Sequence, residues 1–155
     1  MLDANSLPER KTLNHVAPPW VKAGSLYFIT ICTEPRGQNQ LCRPDTGMKL
    51  LESAVHYHNE QRWWLKIFLL MPDHVHAMIA VPSTASLSTV IRMWKAYQTK
   101  HLAVRWQSGF FDYRLRSNES EDAKTAYIRL NPVRAGLINK AGSWPYFWPK
   151  PGDID

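Results

Sequence analysis

The chain has 155 residues, a formal charge of +6 and 45% apolar side chains, which suits one domain able to bury roughly two-thirds of its unfolded surface. Cys32 and Cys42 are too few for a disulfide framework and lack CxxC spacing, no run reaches the roughly 18 apolar residues of a membrane span, and Met1 to Lys11 has no apolar signal core, so the expectation is a cytoplasmic protein with reduced thiols and no membrane partner. The charge is uneven: between Ser86 and Lys140 ten basic residues face four acids, while the other 100 residues carry nine of each sign. That excess favours a polyanionic partner over a neutral one, although a solvated basic face would look the same.

In chain order, residues 1–24 read as an arm that ends at Gly24. Ser25 to Thr33 is β-branched and aromatic and predicts a strand closed by Glu34-Pro35-Arg36-Gly37. Asp45 and Thr46 can cap a helix over about Met48 to Gln61, with Leu50, Leu51, Ala54, Val55 and His58 on one side. Trp64 to Leu70 is the second strand, Pro72-Asp73 a turn, and His74 to Val81 the third strand, with Val75, Ile79 and Val81 facing the core and His74, His76 and Met78 facing away. Ser86 or Ser88 opens a second helix along Leu87, Val90, Ile91, Trp94, Tyr97 and His101. Gly109 to Leu115 is a fourth strand, and a third helix opens at Asn118 with acids near its first turn. Pro132 should stop or kink that helix at Asn131.

The order β-α-β-β-α-β plus a helix predicts an α+β fold: a ferredoxin-like (split βαβ) antiparallel sheet, helices on one face, and an added C-terminal helix bearing Tyr127. The opposite sheet face is expected to be open for a ligand. After Lys140 the segment 141–155 carries Trp144, Tyr146, Phe147 and Trp148 between prolines, too aromatic for a linker. It should dock either as a brace behind the helices or as a lid over the open face. This leaves 25–140 as the working domain.

His74 and His76 share one strand face, so both imidazoles can reach one Mg²⁺, Mn²⁺ or Zn²⁺ ion. Packing or surface histidines are the ordinary alternative. A third ligand could come from Asn131, Asp73, Asp112 or Glu121, and an amide oxygen suits Mg²⁺ or Mn²⁺. Tyr127 and Asn131, four apart, share a helical face. A tyrosine there is either core or a nucleophile, and as a nucleophile its phenol needs a cation or base to stabilise the phenolate. Arg92, Lys95, Arg114, Arg116, Arg129 and Arg134 are candidate phosphate contacts or plain surface charges.

These residues carry a resemblance. Tyr27 to Thr33, Met71-Pro72-Asp73-His74-Val75-His76, Trp106 to Asp112 and Tyr127 to Leu137 (YIRLNPVRAGL) together resemble the HUH single-tyrosine (Y1) transposases, specifically the REP-associated tyrosine transposases of bacteria. The resemblance spans residues 25 to 137. It implies that His74 and His76, completed by Asn131, bind Mg²⁺ or Mn²⁺ and that Tyr127 is the nucleophile. It also implies a partner, single-stranded DNA with a hairpin, cut to leave a 5′-phosphotyrosine and a free 3′-hydroxyl by a monomer rather than a dimer. Tyr113 stands where many relatives have histidine. Two other functions fit the residues: a noncatalytic binder of single-stranded DNA or RNA hairpins, with Tyr27 and Phe111 as stacking platforms, and a phosphodiesterase in which metal-bound water attacks and Tyr127 is structural.

Overall fold

The computed structural model describes residues 17–22 and 25–150. Most of the arm expected over 1–24, including Gly24, lies outside them. The elements are β1 (Leu26–Cys32), α1 (Pro44–Asn59), β2 (Trp64–Met71), β3 (His74–Ala80), α2 (Leu87–Leu102), β4 (Phe111–Leu115), α3 (Asn118–Arg134), a 3₁₀ turn (Ala141–Ser143) and β5 (Phe147–Trp148). The strands form one antiparallel sheet in the order β4-β1-β3-β2-β5. Its first four members are the expected split βαβ arrangement, and α3 is the expected addition.

Alternation along the strands sorts the core into two layers. Ile29 and Ile31 of β1, Val75, Ala77 and Ile79 of β3, and Phe68 and Leu70 of β2 pack with Leu50, Leu51, Ala54 and Tyr57 of α1 and Val90, Ile91 and Trp94 of α2. On the other face Leu26, Met78, Ala80, Ile67, Leu69, Met71 and Leu115 pack with Ile128 of α3 and Phe147 of β5. A register shift at Lys66 explains why Leu65 and Ile67, two apart, lie in different layers: one extra residue inverts the alternation. The Leu65 N–H donates to His58 Nδ1 (2.9 Å).

Two expectations need correction. The second face is not left open, since Ile128 is fully buried there and Trp20, Val21 and Trp144 pack beside it. Tyr27 lies on the helix-covered face, so it cannot be a platform on the other. Helix ends differ as well. α1 begins at Pro44, because proline at the first position lacks only an N–H that would be unpaired anyway. α3 runs through Pro132 to Arg134 and ends where Gly136 takes φ +76, with Leu137 N–H donating to Pro132 O.

The aromatic tail lies neither behind the helices nor over His76 and Tyr127: it adds an edge strand to the sheet. Phe147 and Trp148 pair with Leu69 and Phe68 of β2, Leu70 N–H donates to Tyr146 O (2.9 Å), and Trp144 Nε1 donates to Leu70 O (2.8 Å). Tyr146 closes against Gly47: a Cβ there would stand 2.6 Å from Tyr146 Cδ1 and 3.1 Å from Leu41 O. Gly47→Ala should therefore destabilise the protein by about 1–2 kcal/mol, the overpacking penalty less the helix-propensity gain. In a chain truncated after Lys140 the same change should cost less or stabilise. Thermal melts of the four proteins check this, and equal penalties in both backgrounds would show that Tyr146 is not what Gly47 accommodates.

Candidate active site

The register of β1 with β3 sets Thr30 opposite His76 and Cys32 opposite His74. His76 is 7% exposed, stacked on Phe28 with centroids 5.3 Å apart and planes at 25°. The two imidazole centroids are 4.7 Å apart. α3 carries Tyr127 over this floor, its ring centroid 6.0 Å from that of His76 and 6.3 Å edge-on from Phe28. Tyr127 stays 44% exposed, so it is not a core tyrosine. Asn131 follows one turn later, half-buried.

Both imidazoles are oriented through Nδ1. Asp73 Oδ1 accepts from His74 Nδ1 (2.8 Å), and His76 Nδ1 is hydrogen-bonded to Thr30 Oγ1 (3.0 Å). Hydrogen bonds at Nδ1 fix the orientation of each ring and leave Nε2 as its remaining nitrogen. Asp73 is itself fixed by Arg36 Nε (2.9 Å) and by the Gly37 N–H (2.8 Å), the latter at φ +87, a conformation that glycine adopts readily. Burial pushes the Asp73 carboxyl up, but hydrogen bonds from Arg36, His74 and Gly37 outweigh it and hold it well below the usual carboxylate range. Of the other acids proposed as ligands, Glu121 is ion-paired to Lys66 Nζ (3.1 Å), and Asp112 pairs with Ile29 and so faces the helix layer. Among the described residues no third His, Cys, Asp or Glu completes a metal-binding group with the pair.

Burial first, then electrostatic repulsion from the side chains of His74, Lys124, Arg134 and Arg36, depresses the His76 pKa from 6.5 to about 3. The unfolded chain regains the higher value, so between those limits it binds a proton that the native state refuses, and stability falls as pH drops. Asp73 acts in the same direction at the lower end. Melting temperature should decline steadily from about pH 7 to about pH 4. His76→Gln should flatten the upper part of that decline, and an unchanged slope in the variant would contradict the assignment.

The proposed phosphate contacts scatter. Only Arg134 meets the tyrosine, its guanidinium 4.4 Å from the ring centroid and its Nη2 donating to Tyr127 O (2.6 Å). Arg92 and Lys95 lie on α2, across the sheet, where Lys95 Nζ donates to the carbonyls of Gln107 (2.9 Å) and Gly109 (2.7 Å) and holds the approach to β4. Arg114 pairs with Tyr27 on the helix side, Arg116 is exposed after β4, and Arg129 sits 5.3 Å over Phe147. Sequence reasoning missed Lys124. Its three-residue spacing from Tyr127 was the available signal, and its Nζ lies 4.9, 5.6 and 5.4 Å from the ring centroids of Phe28, Tyr113 and Tyr127.

A split βαβ sheet with an added helix that brings a tyrosine onto two strand histidines has a close structural counterpart. The solved structure of a REP-associated tyrosine transposase bound to a REP hairpin superposes with TM-score 0.70 at 19% identity, covering 85% of this chain and 81% of that one. In sequence, the REP-associated tyrosine transposase of Escherichia coli K12 is 22% identical over 130 residues, 82% of this chain and 77% of the relative. A Haemophilus influenzae protein provisionally given the same name is 23% identical over 142 residues, 79% and 78% of the two chains. The family described as Transposase IS200 like matches residues 25–131, and the chain belongs to that family. Among the described residues no helix is long and apolar enough to cross a membrane.

Proposed function

We propose that this protein cuts and rejoins single-stranded DNA beside hairpin-forming palindromes through a phosphotyrosine at Tyr127. The observation that carries the reading is the convergence of Tyr127 on His76, centroids 6.0 Å apart, from elements distant in the chain. The related structure bound to a REP hairpin and the basic excess of the C-terminal half support a DNA partner. His74 and His76, with the Asn131 amide as third ligand, would hold Mg²⁺ or Mn²⁺, which when bound draws charge from the scissile phosphate. The chemistry of the donor set suits such an ion: two imidazoles fixed by Asp73 and Thr30, plus a hard oxygen from the helix that bears the nucleophile.

The residues of the chain then do the following. Tyr127 Oη attacks phosphorus and gives its proton to solvent, with the cationic groups of Lys124 and Arg134 beside its ring to offset negative charge gathered at the phosphate. The P–O3′ bond breaks, and the departing oxygen takes a proton to become a free 3′-hydroxyl while the 5′-phosphate stays on Tyr127. Attack by another 3′-hydroxyl reverses the chemistry and joins a new strand. The seating of the Tyr127 helix against the His76 strand of its own chain supports a monomer as the working unit.

The test is denaturing electrophoresis of the protein after incubation with a labelled hairpin oligonucleotide and Mg²⁺ or Mn²⁺. A covalent adduct supports the reading, cleavage without adduct points to metal-activated water, and retardation on a native gel alone leaves a noncatalytic binder.

A further inference from the structure

Among the described residues β4 is an edge of the sheet, paired with β1 alone. Its register puts Phe111 opposite Thr30 and Tyr113 opposite Phe28, so both rings stand on the face of His76 and Tyr127. They are 73% and 59% exposed, a large aromatic surface to leave to solvent. Between Tyr113 and Tyr127 stands the Lys124 ammonium, ringed by Phe28, Tyr113 and Tyr127 and without a carboxylate partner among the described residues. Side chains two apart on a strand are separated by about 6.8 Å, roughly twice the 3.4 Å rise between bases stacked in a duplex strand. Two bases can lie on both rings only after separating from each other, and bases inside a duplex have no free face to offer.

We infer that this edge receives the unpaired DNA flanking the hairpin, with one base stacked on Phe111, the next on Tyr113, and a phosphate on the way to Tyr127 held by Lys124. The inference rests on the DNA-processing reading and deepens it by naming where the unpaired strand runs. A positive charge continuous with the tyrosine, beside exposed aromatic faces, matches a polyanion of unstacked bases and not an apolar partner.

The experiment measures binding to full-length protein carrying Tyr127→Phe, so that no turnover intervenes, using a hairpin with an unpaired flank and the same hairpin without it. Phe111→Ala and Tyr113→Ala should each weaken the flanked hairpin roughly tenfold and leave the blunt hairpin unchanged. Both side chains are exposed, so the fold should be kept, and thermal melts of the variants check it. Lys124→Ala should lower the slope of log Kd against log salt by about 0.7 for the flanked hairpin only, and Lys124→Arg should restore it. Equal losses on both hairpins, or none, overturn the inference. So does a change in sedimentation without a change in DNA affinity, which would make the patch a contact between copies. The adduct assay on unmodified Tyr127 is read separately: flank dependence without adduct keeps this surface and removes the nucleophile, whereas adduct without flank dependence does the reverse.

Discussion

Tyr127→Phe should form no covalent adduct with a hairpin oligonucleotide, and strand cutting should fall by on the order of 10³-fold or more, because the substitution removes the attacking oxygen. Affinity should hardly move. Phenylalanine keeps the ring that meets Phe28 and His76 edge-on, and the Arg134 hydrogen bond is to the backbone carbonyl at 127, which is unaffected. Stability should also persist, since the ring is 44% exposed and its hydroxyl is not needed by the core. Adduct in this variant would remove Tyr127 as nucleophile. Loss of binding along with cutting would instead give its hydroxyl a DNA contact.

Replacing His74 and His76 together with alanine should abolish adduct formation at every Mg²⁺ or Mn²⁺ concentration, and each single change should do nearly as much. Two groups that serve one ion fail as a unit, so their effects should not add. Hairpin binding should survive in the double variant, because neither imidazole is proposed to touch bases. His76→Ala carries a second cost, for it removes the ring stacked on Phe28 and leaves Thr30 Oγ1 without that partner. Melting curves separate that cost from catalysis: His74→Ala should be nearly as stable as wild type and just as inactive as the double variant. Cutting at the wild-type rate by the double variant on adding Mg²⁺ would place the metal elsewhere.

Strand parity carried most of the fold. Placing His74, His76 and Met78 opposite Val75 and Ile79 required only the period of two, and the register confirms it. The β-α-β-β-α-β order followed from turn and cap signals such as Ser86, whose Oγ accepts from Thr89 N–H (3.1 Å). What sequence did not show were relations between distant segments. Tyr27 and Phe111 both read as exposed aromatics, yet only the pairing of β1 with β4 tells which face each occupies. β5 was hidden because two residues between prolines have no strand period, and it exists only because the β2 edge offers partners. Lys95 read as a DNA contact because charge is visible in sequence and the carbonyls that engage it are not. His74 with His76, and Tyr127 with Asn131, were legible as candidate pairs because spacing puts each pair on one face, but the approach of the two pairs depends on how α3 crosses the sheet.

The seating of α3 has a kinetic meaning. Over seventeen residues it buries only Ile128 and Pro132, against six buried residues in α1 and four in α2. A single buried isoleucine is worth about 1.5–3 kcal/mol, so this helix should lift from the sheet in a local opening well below the cost of global unfolding. In hydrogen exchange its amides should trade first, while those of α1 and α2 hold until the whole chain opens; uniform protection would contradict this. A DNA end bonded to Tyr127 would ride on the most easily detached part of the molecule, so one end could be carried away and another brought in while the sheet with its two histidines stays folded.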